Sequence, residues 1–130
     1  MMTFFKKLFA KDEGDEAKLP EGEKDTFVLK VDDIDLGVLQ CDGGEWIFHY
    51  TDEFKKHQDE YSRIIGFSDL DKEYRSPVLW PFFRIRIPGL KQPAVQEILK
   101  KENIDEHNEA ALLRRFGKET IANPYELLPA

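Results

Sequence analysis

The chain has 130 residues, a formal net charge of −7, 41% hydrophobic residues and a single cysteine, Cys41. One cysteine excludes an intrachain disulfide, and no apolar run approaches the ~20 residues needed to cross a bilayer. The acidic charge argues against a sequence-blind grip on nucleic acid while leaving room for a local basic face, and the lone cysteine fits a reducing compartment, so the expectation is a cytoplasmic domain.

Residues 1–25 read as a flexible N-terminal tail and residues 26–130 as one domain. Phe4-Phe5-Lys6-Lys7-Leu8-Phe9 is too short and too interrupted for a signal core. Met1 to Ala10 has the pattern of a short amphipathic turn, either a weak anchor or a frayed terminus, and the reading favours the terminus. Lys11 to Asp25 is almost wholly Lys, Glu, Asp, Gly and Pro, and buries too little apolar surface to offset its ordering entropy.

Strands are predicted at Thr26–Val31, Ile34–Gln40 and Glu45–Thr51, separated by an Asp32-Asp33 turn and an Asp42-Gly43-Gly44 turn. A two-residue turn at Gly43-Gly44 would set Val38 against His49. A three-residue loop would set Val38 against Phe48 and Leu36 against Tyr50, and is favoured because it gathers the apolar residues on one face. Asp52 to Tyr61 has room for a helical turn. Arg63–Phe67 reads as a further strand and Ser68–Ser76 as loop.

Pro77, Pro81 and Pro88 fence an aromatic segment, Trp80-Pro81-Phe82-Phe83-Arg84-Ile85-Arg86-Ile87, and argue against a regular helix there. The plain reading of the segment is core, with Phe82, Phe83 or Ile85 packing against the helices, and it is favoured for Phe83. Trp80 and Phe82 are candidate partner-binding residues, since exposed aromatics concentrate at interfaces. Arg84 and Arg86 would share a face if the segment is extended, a pairing suited to carboxylates or phosphates; a solvated edge strand is the blander alternative.

Pro93 opens a first helix, with Val95, Ile98 and Leu99 inward. Asp105 is the expected N-cap of a second, with Leu112, Leu113 and Phe116 on its apolar face and Gly117 as its stop. Thr120-Ile121 is a candidate closing strand, and Tyr125–Leu128 a last apolar cluster. The order of elements predicts an α+β class: a small antiparallel sheet or barrel-like domain capped by two C-terminal helices.

No catalytic residue, cofactor site or metal site is expected. Cys41 and His49 do not meet, His49, His57 and His107 lack ligand spacing, and the acid pairs Asp32/Asp33, Asp69/Asp71 and Glu102/Asp105 sit in turns or at helix ends. A helix-turn-helix reading would use Arg114, Arg115 and Lys118 on phosphates, but the first half of its second helix is Asp105-Glu106-His107-Asn108-Glu109, which repels DNA.

Leu36-Gly37-Val38-Leu39, then a glycine turn and an aromatic strand of Trp46, Phe48 and Tyr50, is one marker of a family. The others are Pro81-Phe82-Phe83 leading through Pro88 into two helices, and Leu112-Leu113 followed by Gly117. From about Phe27 to Leu128 the chain resembles the N-terminal domain of HipA-type serine/threonine kinases of toxin–antitoxin systems. It departs in reading Ile87-Pro88-Gly89-Leu90 where the family commonly has Leu-Pro-Glu-Gly. The resemblance implies a domain that packs on a kinase core. It implies a non-catalytic partner subunit or antitoxin-like regulator of a HipA-like kinase, in company with a helix-turn-helix antitoxin in some systems. From charge and hydropathy, no direct contact to nucleic acid or membrane is expected. The alternative is an interaction or self-associating module outside that setting.

Overall fold

A computed structural model describes residues 17–130. The expected amphipathic turn at Met1–Ala10, and the part of the expected tail up to residue 16, lie outside the described residues.

Three strands follow one another through two-residue turns: β1 (Asp25–Val31), β2 (Ile34–Asp42) and β3 (Glu45–Tyr50). Gly43 and Gly44 both take positive φ, 60° and 79°, which closes the β2–β3 hairpin in two residues. The register is therefore Val38 against His49 and Leu39 against Phe48. The favoured three-residue loop is wrong, and the reason lies upstream. Between β1 and β2 the register slips: Leu29 faces Gly37, Lys30 faces Asp35, and Leu36 is an extra residue. This bulge lets Leu36 and Gly37 both face inward, and the alternation then resumes with Leu39 and Cys41 buried and Val38 outward. Gly37 is required there, because a Cβ on it would lie 2.5 Å from the Phe48 ring.

Helix α1 (Asp52–Lys56) follows, capped by the Thr51 hydroxyl accepting from the Phe54 N–H at 3.0 Å. Arg63–Phe67 is not the expected strand. Its main-chain groups are taken up locally: the Tyr50 hydroxyl accepts from Ile64 N–H at 3.0 Å and donates to the Phe67 carbonyl at 2.5 Å, and Gly66 turns at φ 96°. The segment is a loop that inserts Ile64 and Phe67 into the core. The fourth strand lies instead in the expected loop, as β4 (Tyr74–Ser76) beside β3.

The proline-fenced segment does contain a helical turn, α2 (Pro81–Arg84), with Pro81 at its first position, where the missing N–H costs nothing. Then come α3 (Pro93–Lys101) and α4 (Glu109–Phe116). The N-cap of α4 is Asn108, whose side chain accepts from Ala111 N–H at 3.1 Å; Asp105 instead accepts from His107 N–H in the preceding turn. Thr120-Ile121 forms a turn with Ile121 exposed, and the closing strand is β5 (Glu126–Pro129), paired with β1.

The sheet runs β4-β3-β2-β1-β5, all antiparallel, and stays open rather than closing into a barrel. The class is α+β. One sheet face carries Phe27, Leu29, Leu39, Trp46, Phe48 and Tyr50, covered by Phe54, Phe67, Phe83, Ala110 and Leu113. A smaller cluster of Ala17, Val95, Leu99 and Leu112 binds α3 to α4. Ala17 is buried, Lys18 N–H donates to the His107 carbonyl, and the Lys18 carbonyl accepts from Glu109 N–H at 2.9 Å. Packing thus begins before the boundary at residue 26 that composition suggested: a short stretch orders when it satisfies an orphan donor of a helix start.

Replacing Gly37 by Ala should destabilise the domain by about 1–3 kcal/mol, because the Phe48 ring must shift. Urea titration checks this; an unchanged midpoint would show that the ring relaxes freely.

Candidate functional site

The four expected partner-binding residues split into two pairs. Arg84 and Arg86 sit on and just after a helical turn and do not form an extended, outward pair. Arg86 is only 4% exposed. Its guanidinium donates to the carbonyls of Gly117 at 2.8 Å, Lys118 at 3.1 Å and Tyr125 at 2.8 Å, and to Asn123 Oδ1 at 3.1 Å. Burial lowers its pKa to about 10, so it remains a cation at neutral pH. Two of its acceptors lie just past the last turn of α4, at the negative end of that helix.

Arg84 donates to Glu109 Oε2 at 2.5 Å, and Trp46 Nε1 donates to Glu109 Oε1 at 2.8 Å. Glu109 is 2% exposed and opens α4, where the positive end of the helix favours a carboxylate. Burial still pushes its pKa up, against the lowering effects of Trp46 and Arg84. The arginines that look like an anion clamp in sequence are internal fasteners. No sequence signal marked Glu109 as their counterpart, since it lies in a run of acids.

Trp80 and Phe82 remain at the surface in part. Trp80 is half-buried, its ring edge-on to Phe67 at 5.1 Å between centroids. Phe82 is half-buried between Phe83 at 5.0 Å and Tyr125 at 5.8 Å. Two large apolar side chains from the same stretch are exposed outright: Val78 at 62% and Ile85 at 51%. Residues 78–85 therefore present Val78, Trp80, Phe82 and Ile85 on a backbone held by the Arg84 and Arg86 contacts. Part of the apolar area of this stretch is therefore left at the surface.

Other candidate chemistry is spent locally. Cys41 faces inward opposite Trp46, whereas His49 faces outward opposite Val38. Burial pushes the Cys41 thiol up to about 12, so it stays protonated and weakly nucleophilic. Asp69 accepts from Asp71 N–H at 2.9 Å, and Glu102 takes Arg115 at 2.7 and 3.0 Å. Arg114 pairs with Asp25 and Glu23. Arg114 and Arg115, the phosphate contacts of the helix-turn-helix reading, are thus both engaged by acids. A depression of about 460 Å³ is lined by Lys55, Arg63, Asp69 and Asp71, where Lys55 pairs with Asp71 at 3.2 Å. Among the described residues no group of His, Cys, Asp and Glu could hold a metal ion, and no helix is long and apolar enough to cross a membrane.

The family model for the HipA N-terminal domain matches residues 28–122. No curated protein and no solved structure matches the chain.

Arg86→Ala should cost about 3–5 kcal/mol, since four acceptors lose their shared donor and a cavity opens. A thermal or urea melt reads this; a loss below about 1 kcal/mol would mean that water replaces the guanidinium. Glu109 gives a pH signature. Its pKa is higher folded than unfolded, so its contribution to stability is fullest below the ordinary glutamate range and falls as pH rises through the folded value. The stability of the wild type relative to Glu109→Gln should therefore increase on acidification from about pH 7 to about pH 5. A flat or falling difference in urea titrations would contradict the raised pKa.

Proposed function

The chain belongs to the HipA N-terminal domain family, and from that premise we propose that it is a non-catalytic partner subunit, or antitoxin-like regulator, that docks on a HipA-like serine/threonine kinase core. The observation that carries this reading is the family match across residues 28–122. In the family this domain packs against the kinase core. The docking surface is the stretch from Val78 to Ile85, where exposed Val78 and Ile85 flank half-buried Trp80 and Phe82. A partner that buries these four side chains meets a surface already held in place, so little ordering entropy is lost on binding. Arg84 and Arg86 take no direct part; they hold the segment in shape.

Calorimetric titration of a HipA-like kinase core with this protein tests the reading. Binding with a Kd of about 1 µM or tighter is expected, and Ile85→Asp should weaken it at least about tenfold without lowering the melting temperature. No heat at roughly 50 µM would remove the kinase-partner reading. Binding that Ile85→Asp leaves intact would move the docking surface elsewhere. Trp80→Ala should reduce both affinity and stability, because its ring also packs on Phe67.

A further inference from the structure

The sheet has two edges, and they are unlike. On β5 the Leu127 N–H points away from β1 and donates to the Lys118 carbonyl at 3.0 Å, Pro129 has no N–H, and Ala130 N–H turns back to the Thr26 carbonyl. The outer side of β5 therefore offers no unused donor to another strand. At the other edge, β4 pairs with β3, and among the described residues its main chain makes no hydrogen bond outside the sheet.

The side chains of β4 are ordered by face. Tyr74 and Ser76 stand opposite Phe48 and Trp46 on the core side, and Arg75 stands opposite Ile47 on the open side. Glu73 shares the open side with Arg75, in contact with its guanidinium at 2.5 Å, and Glu45 contacts the same guanidinium at 3.2 Å. Opposite charges two residues apart make this edge complementary to itself when read antiparallel.

We propose that the β4 edge pairs antiparallel with the β4 edge of a second copy of this chain, about a two-fold axis at Tyr74, with each Arg75 opposite Glu73 of the other copy. The register follows by elimination. Pairing must keep core-side residues opposite core-side residues, so the axis passes through Tyr74, Arg75 or Ser76. An axis at Arg75 sets two guanidiniums face to face, which is unfavourable. An axis at Ser76 places Pro77, without an N–H, opposite Arg75 in the ladder. An axis at Tyr74 leaves two Arg75–Glu73 pairs on the open side and Tyr74 against Tyr74 on the core side. Because β5 cannot add a strand, the assembly closes at two copies and does not run on as a filament. This pairing is independent of any kinase partner.

Sedimentation velocity on the full chain at low salt tests it. A reversible dimer is expected, with Kd in roughly the 10–100 µM range. Arg75→Glu should weaken it at least about tenfold by setting like charges across the axis. Glu73→Arg should do the same while leaving the Arg75–Glu45 contact in place, so a folding defect is not the cause. The double reversal Glu73→Arg with Arg75→Glu restores opposite charges and should bring affinity back to within about threefold of wild type. A chain that stays monomeric, a dimer indifferent to the single reversals, or a double variant no tighter than the singles would each overturn the proposal.

Discussion

The short helix α4 is fastened at both ends by side chains from one neighbouring stretch. At its start, Glu109 is buried between Arg84 and Trp46. Just past its end, Arg86 gathers three carbonyls and Asn123. Both contacts have the sign that the helix dipole prefers: carboxylate at the N-terminus and guanidinium at the C-terminus. The two arginines are two residues apart, yet they reach opposite ends of an eight-residue helix. Trp46 carries the fastening through to the sheet. Leu113 and Ala110 then close on the same core as Phe48 and Phe83. Without these contacts α4 would be far too short to persist alone.

Much of the fold was legible in the sequence. Two of the strands are built of alternating bulky and polar residues, and Gly43-Gly44 announces a hairpin. Pro93 and Leu112-Leu113 place the last two helices. What escaped were features set by non-local contacts. The bulge at Leu36-Gly37 inverts the apparent face of β2, and the ring that requires glycine there belongs to Phe48, on another strand. The stretch Ile64–Phe67 is apolar enough for a strand, yet the Tyr50 hydroxyl, pushed up to about 12 by burial, claims its main-chain groups. β4 is three residues long, too short for periodicity to speak.

The candidate site was half legible, for a physical reason. Two arginines beside aromatics look the same in sequence whether they face outward to an anion or inward to carbonyls. Arg86 faces inward because Gly117, Lys118, Asn123 and Tyr125 bring four acceptors to one point, and those residues lie more than thirty positions away. Trp80, Phe82, Val78 and Ile85 stay near the surface because the core is already filled by Phe67 and Phe83. The segment singled out from composition therefore divides, with its two cations engaged within the fold and part of its apolar flank at the surface.

The two tryptophans occupy opposite circumstances, and this equips the molecule with built-in optical probes. The Trp46 indole is fully buried, with its nitrogen on the Glu109 carboxylate. Its emission is shielded from iodide or acrylamide and changes when the cooperative unit opens. Trp80 is half-accessible at the rim of the aromatic cluster. A quencher should reach it before it reaches Trp46. Replacing Trp80 by phenylalanine isolates the buried signal and leaves the Trp46–Glu109 hydrogen bond in place, so the opening of the core can be followed without an attached dye.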